Sequence, residues 1–167
     1  MGRKAEKGAT PAVRAAAAAG VGHRLHAYEH ADGETDFGAE AVRAMAGLAG
    51  ARPEQIFKTL LADLDGRLVV AVLPVPWRLD LKALAAAAGG KRATMADPAR
   101  AERSSGYVVG GISPLGQRTA LPTVLDASAL EWPTICVSAG RRGLEIELAP
   151  ADLARVTAAV VAEVGRD

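Results

Sequence analysis

The sequence is poor in the residues that most often do chemistry by themselves. Its 167 residues hold one cysteine, three histidines and two each of Trp, Tyr and Phe. One cysteine cannot close an internal disulfide, which fits a reducing, cytoplasmic compartment. The longest apolar stretches fall short of the roughly 18 residues that a membrane span needs, so no membrane is expected. The basic start (Arg3, Lys4, Lys7) runs into alanines that Arg14 interrupts, and Gly20, Gly22, His23 and Arg24 follow. That is a poor core for a signal peptide. An excess of one charge is missing as well. Twenty basic and 19 acidic side chains leave +1, which argues against nucleic-acid binding by bulk electrostatics. The balance hides an uneven stretch: from Arg78 to Arg118 seven basic residues stand against three acidic ones.

What is present describes a folding chain. Half the residues are hydrophobic and 23% are charged, which excludes disordered and collagen-like classes. At about 150 residues per domain the length predicts one domain, over 10–167, behind a polar, disordered tail over 1–9. Thr10-Pro11 supplies an N-cap and an N1 proline for a helix to about Ala19. His23–Glu29 reads as a strand, and Asp36 caps a helix from about Gly38 to Leu48. Gln55–Leu64 and Arg67–Leu73 flank Asp65-Gly66, a strong hairpin signal. A helix over Leu79–Ala88, a strand over Arg92–Met95 and a helix from Asp97-Pro98 to about Ser104 follow. Ser105–Gly116 is too rich in glycine for a regular element. Thr123–Leu125, Thr134–Val137 and Leu144–Leu148 are short strands. Pro150 opens a last helix in which Leu153, Val156, Val160, Val161 and Val164 share a face. Strands and helices intermix without a βαβ rhythm, so a mixed α+β or α/β domain is expected.

The familiar catalytic patterns fail on inspection. His26-Ala27-Tyr28-Glu29-His30 has the H-x-x-E-H spacing of some zinc peptidases, but that chemistry needs a helix and the segment reads as a strand. No metal is expected. Cys136 lies among strand residues, remote in sequence from any histidine, and reads as a buried thiol. The glycines around Ser113 are misplaced for a serine nucleophile elbow, and no phosphate-loop or dinucleotide glycine pattern is present. No cofactor is expected. Three features stand out instead. Lys58 sits in the otherwise apolar run Ile56–Leu61, where an ammonium is costly unless it meets an anion or reaches water. Val109-Gly110-Gly111-Ile112-Ser113-Pro114 is a loop whose glycines let main-chain N–H groups approach a ligand, or simply a tight turn. Ser138–Gly143 is a small basic loop, with Glu145 just beyond it. Together they outline a polar cleft without naming its ligand.

Four motifs in order narrow the choice. Phe57-Lys58-Thr59-Leu60, Met95-Ala96-Asp97-Pro98, Gly106–Gly116 and Val137–Leu144 closely resemble the YbaK/EbsC family, from about Thr10 to the end. These proteins are Cys-tRNA(Pro) deacylases related to the editing domain of bacterial prolyl-tRNA synthetases. The resemblance implies a mixed β-sheet curled into a barrel-like shape and packed with helices. It implies an aminoacyl-tRNA substrate and prolyl-tRNA synthetase as partner, and it leaves the oligomeric state open. Lys58 matches the family's essential lysine at the tRNA 3′ end, with Thr59 beside it. Tyr28 and Phe37 match aromatic residues of the site. Gly110, Gly111, Ile112 and Ser113 match the main-chain cradle around the aminoacyl group, with Gly110 and Gly111 joining Lys58 as the catalytic set. Ser138 matches a polar pocket residue. The chain departs from the family at Ala139 (usually Gly), Arg141 (usually Lys), Cys136 (usually Tyr) and Glu145 (commonly Asp or Ser, here a further substrate-binding candidate). Ala139 and Glu145 bear on pocket size and specificity.

The resemblance also explains the missing nucleophile. In this family the cysteinyl thiol is thought to attack its own ester carbonyl and leave as a cyclic thiolactone. The protein then has to orient the thiol and stabilise an oxyanion. Other editing specificities on the same fold, such as Ala-tRNA(Pro), and a non-catalytic module binding tRNA or the synthetase stay open as alternatives.

Overall fold

The computed structural model describes residues 9–167; apart from Ala9, the tail expected over residues 1–9 lies outside the described residues. Helix α1 (Pro11–Ala18) starts as predicted, with the Thr10 side chain accepting the Val13 N–H. Strand β1 (His23–Ala27) and helix α2 (Phe37–Leu48), capped by Asp36, follow. The predicted hairpin is β2 (Phe57–Leu64) and β3 (Arg67–Pro74), antiparallel in full register across Asp65-Gly66. Then come β4 (Arg78–Leu79), α3 (Leu81–Ala87), β5 (Ala93–Met95) and α4 (Pro98–Ser105). The chain ends with β6 (Thr123–Asp126), β7 (Ile135–Arg141), β8 (Leu144–Leu148), α5 (Pro150–Thr157), β9 (Val160–Ala162) and β10 (Gly165–Arg166). The class is mixed α/β.

One sheet runs in the order β5-β2-β3-β6-β9, antiparallel around β2 and parallel from β3 to β9; a second runs β1-β8-β7, all antiparallel. A bridge between Ile56 and Cys136 ties them into one curled surface. The barrel-like shape is open, because β2 is shared unequally. β5 pairs with it only over Ala62–Leu64, and the bridge to β7 lies before its start at Ile56. Between those two points the β2 edge over Phe57–Leu61 has no strand partner in the described ladders.

Alternation along the strands builds the core. Leu144, Ile146 and Leu148 of β8 join Val70, Val72 and Leu125 in the larger buried cluster. Val69, Ala71 and Leu73 turn to the opposite face of β3, against Leu84 of α3. The last helix is shorter than predicted. It stops at Thr157 because Ala158 takes a left-handed conformation (φ 51°), and Val160 and Val161 instead pair parallel to β6. The apolar spacing 153, 156, 160 suits a helix, but β-branched Val160 and Val161 also suit a sheet edge, and the tertiary partner decides. Val164 is buried among the β3 and α3 residues of the second cluster.

Candidate active site

The gap beside β2 is a cavity of about 360 Å³. Lys58 and Thr59 of β2 form one wall, Ser138 of β7 and Glu145 of β8 another, and Tyr28 and Phe37 a third. Met95, Ala96, Pro98 and Ala101 close it from the β5–α4 side, and Val109, Gly110 and Ile112 from the glycine loop. Residues far apart in sequence thus meet because the barrel does not close.

Lys58 is half-buried. Its Nζ donates to the carbonyls of Val75 (3.1 Å) and Trp77 (2.5 Å) in the turn after β3. An ammonium carries three N–H donors, so one stays free for a ligand. Burial pulls the Lys58 pKa below its ordinary value, and the Asp36 carboxylate at the α2 N-cap pulls it back up. Thr59 Oγ1 is buried without a hydrogen-bond partner among the described residues. Glu145 is the second unpartnered group. It is 5% exposed, and burial pushes its carboxyl up to about 8. Lys58 and Glu145 do not pair with each other. The Tyr28 hydroxyl is also held neutral, first by burial and then by the nearby Glu145 and Glu40.

The glycine loop is pinned from several sides. The Tyr107 hydroxyl donates to the Leu115 carbonyl (2.6 Å), Glu102 accepts the Val109 N–H (2.7 Å), and Arg142 donates twice to the Val109 carbonyl. Gly110 has φ +88°, and a Cβ there would lie 2.5 Å from the Phe37 ring. Only glycine fits both demands. Phe37 itself is held by the Arg142 guanidinium, 4.2 Å from its centroid, and by His30 at 5.6 Å between rings.

Eight of the ten residues expected at the site line this cavity: Tyr28, Phe37, Lys58, Thr59, Gly110, Ile112, Ser138 and Glu145. Gly111 and Ser113 do not. The Gly111 N–H is spent on the Val108 carbonyl (2.8 Å), and its Cα packs against the Arg141 main chain, where a Cβ would stand 2.8 Å away. Ser113 is fully buried, and its Oγ accepts the Leu115 N–H. Of the four loop residues only Gly110 and Ile112 line the cavity, and their N–H groups have no acceptor among the described residues. Sequence reading missed Asp36 and Met95 as site residues. Asp36 was legible only as a helix cap, a role it also fills.

Cys136 is buried behind the cavity, and its thiol is pushed up to about 12, chiefly by burial and then by Glu145 and Glu147. His26 contacts Glu147 (2.8 Å) and His30 contacts Glu40 (2.6 Å). Among the described residues no cluster of three or more His, Cys, Asp or Glu is arranged to hold a metal ion, and no helix is long and apolar enough to cross a membrane.

The sequence model of the aminoacyl-tRNA editing domain matches residues 38–156. The chain belongs to that family. It is 41% identical over 139 residues, 82% of both chains, to the Enterococcus faecalis protein EbsC, a candidate Cys-tRNA(Pro)/Cys-tRNA(Cys) deacylase. It is 34% identical over 89 residues, 53% of both chains, to the Escherichia coli multifunctional Ser/Thr-tRNA deacylase ProXp-y. The crystal structure of a candidate trans-editing enzyme for prolyl-tRNA synthetase superposes with a TM-score of 0.79 at 26% identity, over 95% of this chain and 99% of that one. The fold expectation is met: mixed α/β, curled, and shared with this editing protein.

Proposed function

We propose that the chain is a trans-editing deacylase that removes cysteine from Cys-tRNA(Pro), acting beside prolyl-tRNA synthetase in the cytoplasm as one domain over 10–167. One observation carries the reading: the cavity offers a cation, hydrogen-bond donors and a neutral carboxyl, but no activated side-chain nucleophile. Cys136 is protonated and lies outside the cavity lining, and His26 and His30 are engaged with glutamates. The substrate supplies the missing group. The cysteinyl sulfur bonds to its own carbonyl carbon, the ester C–O bond to the ribose breaks, and the thiol proton ends on the departing ribose oxygen. The product is a cyclic thiolactone, which water opens later. Lys58 holds the 3′-terminal phosphate or ribose with its free N–H, and the Gly110 and Ile112 N–H groups take the developing oxyanion. Tyr28 and Phe37 flank the aminoacyl group, and Thr59, Ser138 and Glu145 meet its polar atoms.

Incubation with Cys-, Ala- and Ser-tRNA tests this. Release of cysteine alone supports it, and failure to deacylate Cys-tRNA(Pro) sinks it. The unpartnered Thr59 hydroxyl and the similarity to the Escherichia coli multifunctional Ser/Thr-tRNA deacylase favour a second reading, editing of hydroxyl amino acids. Preferential release of serine or threonine would select it.

A further inference from the structure

The cavity has two unlike lips. On the β1–α2 side Glu29, Asp32 and Asp36 are exposed, together with Arg142 over the Phe37 ring. On the other side the β2–β3 turn, the α3–β5 connection, α4 and the loop after it gather Arg67, Lys91, Arg92, Arg103 and Arg118. All five are exposed, and none is in an ion pair among the described residues. Their main chains are locked together. Asp65 accepts the Lys91 and Arg92 N–H groups (2.8 and 3.0 Å), and Arg100 bonds Asp63 and the Gly66 carbonyl (2.9 Å). Arg118 and Thr119 donate their N–H groups to the Ser105 and Ser104 carbonyls. The four carboxylates on this face are committed inward: Asp63 to Arg100, Asp65 to main-chain N–H groups, Asp97 to the α4 cap and Glu102 to the Val109 N–H. A groove of about 440 Å³ runs between the cations, lined in part by Arg67, Arg100, Ser104 and Thr119 and for the rest mainly by apolar side chains such as Leu68 and Leu121.

We infer that this basic face is the docking surface for the phosphate backbone of the substrate's RNA body. The inference rests on the deacylase reading, and it names how the tRNA lies on the protein. Continuity supports it. Strand β5 leads from Arg92 to Met95 at the cavity, and α4 leads from Pro98 at the cavity to Arg103. The first cations therefore stand roughly 10 Å from the mouth, three strand residues away. Unpaired 3′ nucleotides can bridge that span while the paired stem lies over the groove. An approach across the opposite lip would set phosphates against Glu29, Asp32 and Asp36, and the Arg142 guanidinium there is already committed to the Val109 carbonyl and the Phe37 ring. The small net charge of the whole chain is compatible with this, because five cations without ion-pair partners among the described residues gather on this face while its carboxylates are bonded inward.

The test replaces four side chains together, Arg67→Gln, Lys91→Gln, Arg92→Gln and Arg103→Gln, and leaves Arg100 in its bonded role. Binding of uncharged tRNA(Pro) is measured against salt concentration, and turnover is measured on the cysteinyl ester of adenosine, which has no RNA body. The variant is expected to lose at least about tenfold in tRNA affinity near 0.1 M salt, with a salt slope shallower by about 2–4. Its kcat/KM on the adenosine ester stays within about twofold of the parent. A Glu29→Gln/Asp32→Asn control binds tRNA as well as the parent or better. Unchanged affinity and slope would overturn the inference. So would an equal loss on the small ester, or loss of prolyl-tRNA synthetase binding with tRNA binding intact, which would make the face a protein dock. If the parent cleaves neither ester, the deacylase reading fails while the binding measurement still reports on the surface.

Discussion

Glu145 and Glu147 stand two residues apart on one face of β8, and their surroundings are opposite. His26 on β1 is the register partner of Glu145, yet its Nε2 reaches diagonally to Glu147. Thr134 donates to the other oxygen of Glu147 at 2.6 Å, and with His26 holds that carboxyl below its ordinary value. Glu145 is left with the cavity. Burial sets how costly a charge is, but partners decide whether the charge survives. Nothing about the residue type separates the two positions. A carboxyl buried without partners weakens a fold, and Glu145 shares its cavity with Lys58 and Thr59, which is why the proposed site is placed at this end of the strand.

That contrast breaks most visibly at the cavity. Lys58→Ala should lower kcat/KM on Cys-tRNA(Pro) by about 10²-fold or more, the scale of losing a preorganised electrostatic contact. Thermal stability should barely fall, because the buried ammonium is held at a desolvation cost. A Lys58→Ala protein with near-normal turnover would remove the site from this end of the strand. The paired end should behave in reverse. Glu147→Gln leaves His26 and Thr134 with a weaker acceptor and should cost about 1–3 kcal/mol in denaturant unfolding. Its kcat/KM should stay within about twofold of the parent.

The same contrast shows what is legible in a sequence. The β2–β3 hairpin was readable because Asp65-Gly66 and its flanking apolar runs are local signals, and the caps Thr10, Asp36 and Asp97 were readable for the same reason. Val160 and Val161 were misplaced on a helix because their partner, β6, lies some 35 positions earlier in the chain. At the site, Lys58 announced itself as a charge in an apolar strand. Tyr28 and Phe37 carried no such signal, and only the family resemblance singled them out. Gly111 and Ser113 followed Gly110 in the motif, but the turn that presents Gly110 spends the Gly111 N–H and buries Ser113. The cavity itself was not legible, since it arises where β5 and β7 both stop short along one edge of β2.

A smaller effect sharpens the charge difference. Glu145 keeps its proton in the folded chain up to about pH 8 but releases it near 4.5 when unfolded. Its drag on stability is therefore absent below about 4.5 and grows as the pH climbs toward 8. Glu147 runs the other way: its contribution is present above the unfolded value and is lost as acid protonates the folded carboxylate. Glu145→Gln, which mimics the neutral acid, should match the parent's melting temperature at about pH 4, below the unfolded value. It should exceed the parent by a few degrees at pH 9. The parent's kcat/KM should also bend near pH 8, and the variant's should not. Coincident melting curves across that range would show that Glu145 has found a partner.

Cys136 gives the smallest expected effect. It lies opposite Glu147 in the ladder, two rungs from the Ser138–Glu145 pairing, and both carboxyls add to the burial that keeps its thiol protonated. A buried thiol pushed up to about 12 is neither a nucleophile nor a target for alkylation at neutral pH. Iodoacetamide applied to the folded protein should therefore leave deacylation unchanged, and denatured protein should take up the label. Cys136→Ala removes one sulfur from a small cluster with Ala41, Met45 and Ile56, so it should cost stability rather than turnover. If Cys136→Ala abolished turnover while melting like the parent, the thiol would belong to the reaction, and the substrate's own sulfur would lose its assigned part.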